Sequence, residues 1–338
     1  MVLENSSELI FLQNLVTGNL CKTKVAPWLE GYVETHYCFT TNLKNVLSVL
    51  RSALSIFLMS LSNGFADITI NAVDPERHLY LFWLPFIKVR YILHTEPLPV
   101  FNKYTSPTCN TRLGKSKSII TVSNSMRLAI YQNWLITPKM QKHILVIHNS
   151  ITEPRLNGQM RKVPGNTQYV TTLGHVSMRK NPYFWLEVAK EVTGTRSDVE
   201  FLWLGNGELL GHFQDLTQSM PRISFLGLIN DTQAYLEKTD IYYQPSIIEP
   251  QGIAVLEAMY NSLPCIVSNA GGLPESVENG VNGIVASSTD VADNVNAITT
   301  LLASDETRST YGRKAYLRYL KLFSPAIFKL KMDVIYNN

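Results

Sequence analysis

The chain lacks several patterns that would place it in other classes of protein. Its four cysteines, spread over 338 residues, form no C-x-x-C pair and no metal-ligand spacing with histidine, which argues against a disulfide scaffold and a structural zinc site. No G-x-G-x-x-G follows the first predicted strand, which argues against a dinucleotide-dependent dehydrogenase. No basic run is interleaved with aromatic residues, so we expect no nucleic-acid partner.

The chain also has no apolar run of the length that a membrane span needs. The most apolar stretch, residues 45–64, is interrupted by Arg51 and several serines, and we expect a buried helix there. Residues 79–93 are rich in aromatics and contain Lys88 and Arg90. We expect a helix packed on a sheet and then a core strand, with contact to a bilayer interface as the alternative. The first thirty residues show no basic segment followed by an apolar one, so we expect no signal peptide and a cytoplasmic protein with reduced cysteines.

What is present is the composition of a globular protein with two cores. Hydrophobic residues make up 45% of the chain and charged residues 17%, and the length favours two domains. The net charge of +3 is uneven, because residues 1–150 carry 14 Lys and Arg against 8 Asp and Glu, whereas the remainder carries 16 against 19. We expect the basic half to favour an anionic partner or membrane surface, and ordinary solvated surface is the alternative.

Short apolar runs alternate with longer helical patterns along most of the chain. Each run is rich in β-branched or aromatic residues and ends in polar or turn residues, as is typical of buried strands. The predicted strands are 8–13, 66–72, 89–95, 118–123, 143–149, 168–175, 199–207, 223–229, 241–246 and 264–269. The predicted helices in the second half include 182–194, 233–239 and 253–262. This alternation predicts an α/β protein with parallel sheets and helices on both faces.

The strand–helix pattern breaks near residue 150. Residues 150–167 contain two prolines, two glycines and mostly polar residues without periodicity, which predicts a linker between two open α/β domains. In such sheets ligands bind beyond the carboxyl ends of the strands, and the cleft between two domains is the expected site.

The segment EPQGIAVLEAMYNSLPCIVSNAGGLPE, residues 249–275, places acids around a glycine turn. Glu249 lies in the loop after a predicted strand, and Glu257 lies inside the next helix. Gly252 lets the backbone approach a ligand, and the helix N-terminus offers unpaired N–H groups and a partial positive charge. Carboxylates accept hydrogen bonds from hydroxyls, while amide dipoles and lysines bind phosphates. This sheet edge therefore suits a polyhydroxylated ligand that carries phosphates.

The same segment resembles the donor-binding signature of retaining GT-B-fold glycosyltransferases of family 4, the glycosyl transferases group 1. That signature is E-x7-E with a glycine three residues after the first Glu, Ala-Met after the second, and a following G-G-x-x-E. The matching residues here are Glu249, Gly252, Glu257, Ala258-Met259, Gly271-Gly272 and Glu275. The segment 172–182 resembles another family motif, with Gly174 and Lys180 in register. The resemblance covers residues 118–338 well and 1–117 loosely.

The resemblance implies the GT-B fold, in which two Rossmann-like parallel-sheet domains face a cleft. It implies an acceptor-side domain at 1–150, a nucleotide-sugar donor domain at 151–322 and a C-terminal helix at 323–338 that returns to the first domain. The implied activity is retaining transfer of a hexose from a nucleoside diphosphate sugar to a glycan or lipid-linked acceptor, in bacterial lipopolysaccharide, O-antigen or capsule synthesis. Peripheral contact with the anionic inner face of the cytoplasmic membrane is a further expectation.

The resemblance also implies roles for residues on the donor side. Lys180 would neutralise the diphosphate and stabilise its leaving charge. His175 stands where the family usually has an arginine and would assist Lys180 when protonated or through one hydrogen bond. Glu249 would face the transferred sugar and support positive charge at the anomeric carbon, and Glu257 would bind the ribose hydroxyls. The other implied donor contacts are the amides of Gly252 and Ile253 to the sugar.

Three further groups complete the implied site. Two segments would pack on the base, one that contains Gly205 and Gly207 and one formed by Leu226 and Gly227. His94, at the end of a first-half strand, would face the sugar, and a histidine that caps a loop is the alternative. Glu275 is equally compatible with an acid in the first turn of its helix.

Two features depart from or refine the family pattern. The loop after the first predicted strand contains a single glycine, Gly18, where the family usually has several, so the acceptor side is expected to differ. No D-x-D motif is present, so we expect no cofactor and no metal. The alternatives are a catalytically weak, donor-binding partner subunit and a GT-B-fold nucleotide-sugar epimerase.

Overall fold

The computed structural model describes residues 9–13, 66–72, 81–82, 87–95, 113–114, 116–134, 136–152 and 167–336. Within it the chain divides into two compact units, Met1–His148 and Asn149–Asn338. The helix expected at 45–64, the single-glycine loop and positions 153–166 of the expected linker lie outside the described residues.

The first unit contains a five-stranded sheet in the order β1-β2-β3-β4-β5. Its strands are β1 (Leu9–Gln13), β2 (Ala66–Ala72), β3 (Ile87–Leu93), β4 (Lys117–Thr121) and β5 (Ile144–Val146). Two described helices, α1 (Asn124–Asn133) and α2 (Pro138–Gln141), follow β4. Strands β2 to β5 are parallel, but β1 pairs antiparallel with β2, so the expectation of parallel pairing was wrong for this edge strand. Antiparallel edge strands are common on otherwise parallel sheets, and a pattern of apolar residues carries no strand direction.

Buried strands and helix α1 form the core of the first unit. Val89, Tyr91 and Leu93 of β3 are fully buried, and Ile92 between them is 6% exposed, so this strand is covered on both faces. Helix α1 begins where the Ser123 hydroxyl accepts the Met126 N–H at 3.1 Å, an N-cap that satisfies a free amide at the helix start.

The second unit contains a six-stranded, wholly parallel sheet in the order β11-β10-β9-β6-β7-β8. Its strands are β6 (Gln168–Leu173), β7 (Val199–Leu204), β8 (Ile223–Gly227), β9 (Ile241–Gln244), β10 (Cys265–Ser268) and β11 (Gly283–Ala286). From β6 the chain adds strands in one direction through β8, and from β9 it adds them in the other. The order therefore reverses between β6 and β9, and that point is where ligands bind in open parallel sheets.

Helices cover both faces of this second sheet. They are α3 (Pro182–Thr195), α4 (Leu210–Thr217), α5 (Gln233–Leu236), α6 (Ile253–Tyr260), α7 (Leu273–Ser276), α8 (Val291–Leu302), α9 (Asp305–Leu322) and α10 (Pro325–Tyr336). Neighbours in β9 show the two faces, because Tyr243 packs in the cluster with α3 and α8, whereas Tyr242 packs in the cluster with α6 and α9. Among the helices described, none combines the length and the apolar character needed to cross a bilayer.

Candidate functional site

Lys180 and Glu249 lie on the two loops that follow β6 and β9, the strands at which the sheet order reverses. The loops are joined by backbone, since the Ile247 N–H donates to the Arg179 carbonyl oxygen at 2.8 Å. Lys180 Nζ forms an ion pair with Glu249 Oε2, and the two side chains are only 13% and 12% exposed. The structure thus brings together two residues that are 69 positions apart in the sequence.

The Glu249 carboxylate is also held by the end of strand β9. The Gln244 side-chain amide donates to the same oxygen, Oε2, at 2.8 Å. The Glu249 main chain is fixed as well, because its carbonyl oxygen accepts the Gly272 N–H at 2.9 Å. Gln244 was not predicted from the sequence, since a polar residue near a strand end carries no signal that distinguishes a partner of an acid from a solvated side chain.

Two glycines, Gly252 before α6 and Gly271 before α7, lie close to Glu249. Gly252 has φ +86°, and a Cβ there would lie 2.8 Å from Leu273 Cδ2. A Cβ on Gly271, at φ +52°, would overlap the Glu249 carbonyl oxygen. Gly271 therefore requires glycine for space as well as for backbone conformation, and Gly252 requires it for backbone conformation. Ile253 begins α6 directly after Gly252, so its N–H is among the first, unpaired amides of the helix.

Glycines also bring the loops after β6 and β7 into backbone contact. Gly205 and Gly207 have φ +146° and +153°, and a Cβ on either would overlap backbone atoms, of Gly174 and Val176 respectively. Gly174 itself is covered by the Lys180 side chain, whose Cε would be 3.3 Å from an added Cβ. The glycines thus let the two loops pack closely together, with the Lys180 side chain lying over Gly174.

His175 does not join the Lys180–Glu249 pair. The residue is exposed and makes no hydrogen bond or ion pair with any residue in the described part of the chain. Its predicted role beside the lysine remains a prediction that depends on a ligand.

Glu257 lies one turn and a half into α6, on the wall of a cavity of about 320 Å³. Burial raises the pKa of the Glu257 carboxyl above its ordinary value. The other lining residues come from the start of the second unit, the α5 region and the end of α6: Ile151, Thr152, Asn230, Asp231, Thr232, Gln233, Leu236, Tyr260 and Asn261. The polar residues among them were not predicted, because a polar loop after a strand is the ordinary surface pattern.

The predicted base contacts on β8 do not line this cavity. Leu226 is half-buried and packs against the core on the α6 side of the sheet. Gly227 has φ +73°, and its carbonyl oxygen accepts the Gly205 N–H at 2.8 Å. This hydrogen bond joins the loop after β7 to the end of β8. The segment 226–227 thus supports the glycine loops.

His94 belongs to the first unit and follows β3 directly. Burial lowers the pKa of His94 to about 4, so the imidazole is neutral at neutral pH. A neutral imidazole can donate one hydrogen bond and accept another. The remaining predicted residue, Glu275, lies in the first turn of α7.

Comparison with known proteins relates part of the second unit to a described family. Residues 159–318 match the family described as Glycosyl transferases group 1. An Escherichia coli protein named UDP-Gal:alpha-D-GlcNAc-diphosphoundecaprenol alpha-1,3-galactosyltransferase is 32% identical over 139 residues, which is 39% of this chain and 36% of the relative. Across eight curated relatives, the matched segment spans 29–62% of the relative's length.

Solved structures show the fold. A glycosyltransferase from Rickettsia africae ESF-5 superposes with a TM-score of 0.77 at 18% identity, over 89% of this chain and 84% of that one. Anabaena Alr3699/HepE, solved in complex with UDP, superposes with a TM-score of 0.70 at 19% identity, over 85% of this chain and 82% of that one. The chain therefore has the GT-B fold, as the sequence predicted.

Proposed function

We propose that this protein is a glycosyltransferase that takes its sugar from a nucleoside diphosphate donor held by the second unit. The observation that carries the proposal is the Lys180–Glu249 pair at the sheet-reversal point, with Glu257 and its cavity on the following helix. A cation, an acid near the sugar position and an acid near a ribose-sized space are the groups that such a donor needs. The family match over residues 159–318 and the relatives named as glycosyltransferases support the same activity.

Lys180 has the central electrostatic role in this proposal. Its ammonium is paired with Glu249, and the diphosphate of a donor would offer a stronger anionic partner. A fixed cation beside the diphosphate stabilises the charge that develops there as the sugar–phosphate bond breaks. His175, exposed on the same loop, is free to add one hydrogen bond to the phosphates.

Glu249 would then face the transferred hexose. A carboxylate near the anomeric carbon supports the positive charge of an oxocarbenium-like transition state, and the Gly252 and Ile253 amides offer donors to sugar hydroxyls. Retention of the anomeric configuration, which the family resemblance implies, is part of the proposal. His94 is neutral at neutral pH and would act as a hydrogen-bonding group toward the sugar, not as a cation.

Glu257 would bind the ribose. Its raised pKa reflects burial of the carboxyl, and two ribose hydroxyls would supply the hydrogen bonds that a buried carboxylate needs. In this assignment Gly205, Gly207, Leu226 and Gly227 support the nucleoside through the backbone of their loops.

For the acceptor we propose a glycan or a lipid-linked glycan of a bacterial surface polysaccharide, in lipopolysaccharide, O-antigen or capsule synthesis. The support is that the Escherichia coli relative is named for a diphosphoundecaprenol-linked acceptor. Residues 1–150 would bind this acceptor, residues 151–322 the donor, and the helix at 323–338 would return to the first domain. Contact with an anionic membrane surface would follow from the basic first half of the chain.

The test is thermal stability of the whole chain against UDP, GDP, uridine and a panel of UDP-hexoses, followed by turnover of any donor that binds. A ligand that binds only the folded state raises the midpoint of unfolding. We expect one nucleotide family to stabilise the protein and its sugar to be released or transferred with retained configuration, read by NMR of the anomeric proton. Failure of every nucleotide to bind would overturn the proposal, and inverted product would remove the retaining mechanism alone.

A further inference from the structure

Gln244 is the last residue of β9, and its side chain is completely buried at the base of the Lys180–Glu249 pair. A buried amide is costly unless its donor and acceptor groups are both satisfied. Here both are satisfied: Nε2 donates to Glu249 Oε2 at 2.8 Å and lies 3.2 Å from Ser246 Oγ, and Oε1 accepts the Tyr242 hydroxyl at 2.7 Å.

The chemistry of the partners determines how this amide is oriented. A carboxylate only accepts hydrogen bonds, so Gln244 must present its NH₂ group to Glu249 and its carbonyl oxygen to Tyr242. The Tyr242 hydroxyl must then donate its single proton to Gln244, and the Leu173 carbonyl oxygen at the end of β6, 3.4 Å away, is the more distant alternative acceptor. Burial, with Cys265, Glu257 and Glu249 nearby, raises the pKa of Tyr242 well above its ordinary value, which keeps the donating proton in place.

The two hydrogen-bond donors to Glu249 share one carboxylate oxygen. Binding of a nucleotide sugar is expected to affect the two hydrogen bonds differently. Lys180 and Gln244 both bind Oε2, and within the described residues Oε1 has no hydrogen-bond partner. A diphosphate competes with Glu249 for the Lys180 ammonium, whereas the buried Gln244 amide has no access to phosphate. When the donor is bound, Gln244 is thus the remaining protein partner that fixes Oε2.

We propose that Gln244 is a positioning residue that keeps the Glu249 carboxylate oriented toward the sugar, with Oε1 free for the ligand, after the diphosphate has taken Lys180. The inference rests on the proposed function. No catalytic contact is assigned to Gln244 itself, since it acts through Glu249.

The test compares Gln244→Met, which keeps the length of the side chain and removes its hydrogen bonds, with Gln168→Met as the matched control. Gln168 also uses both amide groups, to the Leu302 carbonyl oxygen at 3.2 Å and to Arg196 at 2.9 Å, but lies at the opposite end of the sheet.

UDP affinity is measured by calorimetry, and kcat by UDP release from the UDP-hexose that the wild type prefers. We expect Gln244→Met to bind UDP within about twofold of wild type and to lose about 10–100-fold in kcat, because small misplacement of a reacting group has that cost. Gln168→Met is expected to change neither.

A double-mutant cycle separates positioning from a merely structural role. In the Glu249→Gln background, followed under single turnover with enzyme in excess, Gln244→Met is expected to cost less than about twofold, because its effect passes through the carboxylate. Tyr242→Phe leaves Gln244 in place but removes the hydroxyl that donates to Gln244 Oε1. This variant is expected to lower kcat less than Gln244→Met does, and it serves as the second variant if Gln244→Met does not fold.

The outcomes distinguish the two proposals. Three outcomes would each overturn the positioning role while leaving the glycosyltransferase proposal intact. They are an unchanged kcat in both Gln244→Met and Tyr242→Phe, equal losses of UDP affinity and kcat in Gln244→Met, and additive losses in the double-mutant cycle. A wild type that neither binds UDP nor releases it from any UDP-hexose would overturn the proposed donor, and the positioning role with it.

Discussion

At the scale of single residues, the ammonium of Lys180 pairs with Glu249, and in the proposed function it would also bind the diphosphate of the donor. Neither side chain is free in solvent, because they are 13% and 12% exposed. Removing one partner of a buried charge pair leaves the other uncompensated, so variants at these positions change both stability and binding. Tests of the pair must therefore separate the two effects.

We predict that Lys180→Ala lowers the affinity for UDP by about 10–100-fold and leaves the affinity for uridine unchanged, since hydrogen bonds to charged groups have that magnitude and uridine lacks the diphosphate. Calorimetry with the two ligands measures it, and Lys190→Ala, at an exposed position of α3, is the matched control. An equal loss for UDP and uridine would show that the variant had disturbed the site as a whole.

We predict that His94 makes stability depend on pH between 6.5 and about 4. Its pKa of about 4 in the folded chain lies below the ordinary 6.5, so in this window the unfolded chain binds a proton that the folded chain does not. Stability is therefore lost as pH falls through the window, by on the order of 1–3 kcal/mol for this group. Urea unfolding of wild type and His94→Gln at several pH values measures it, and the free energy of unfolding of wild type minus that of the variant is expected to decrease as pH falls. A difference that stays constant over the window contradicts the prediction.

At the scale of elements, strand positions were predictable and pairing directions were not. The strand predicted at 66–72 is β2, and the other predicted strands lie within a few residues of their observed bounds. β11, at Gly283–Ala286, was missed because its four residues begin with glycine and form no longer apolar run. β1 was found but assigned the wrong direction, because apolar alternation reports burial and says nothing about the partner strand.

Some residues of the site were predictable from the sequence and others were not. Lys180 and Glu249 could be found because each lies in a motif of fixed spacing, and the structure brings them into contact. Gln244 and the polar residues after β8 could not be found, because each is an ordinary polar residue whose role depends on a partner far away in the sequence.

We predict that Gly205→Ala destabilises the protein by at least about 1 kcal/mol, because the residue has φ +146° and its Cβ would overlap the Gly174 carbonyl oxygen. Gly194→Ala is the matched control, since nothing lies within 4 Å of its added Cβ and it occupies α3, where alanine is expected to stabilise by roughly 0.5–1 kcal/mol. Urea unfolding of both variants measures the effect. Equal and small changes at the two positions would contradict the packing of the two loops.

At the scale of the whole molecule, the candidate donor groups are concentrated in one unit. Lys180, Glu249, Glu257 and the cavity all lie in Asn149–Asn338, the unit that contains the whole of the family match. Donor binding is therefore expected to depend on residues for which the sequence resemblance is strong. Acceptor choice is expected to depend on the first half, where the resemblance is loose.

We predict that donor turnover by the whole protein persists after treatment with EDTA and dialysis. In the proposed site Lys180 would supply positive charge to the diphosphate, which is the role that a divalent cation has in other transferases. UDP release from the preferred UDP-hexose, with and without added Mg²⁺ or Mn²⁺, measures it. Activity that EDTA abolishes and a cation restores would contradict the prediction.

The backbone contact between the glycine loops has a consequence for engineering the choice of sugar. A Cβ on Gly205 would overlap the Gly174 backbone, so a substitution at Gly205 displaces both loops together, whereas a Cβ on Gly174 would press on the Lys180 side chain. A library for directed evolution would therefore gain little from these positions. The exposed side chains of His175, next to Gly174, and of Leu228, directly after β8, offer diversity that the backbone can accept without moving.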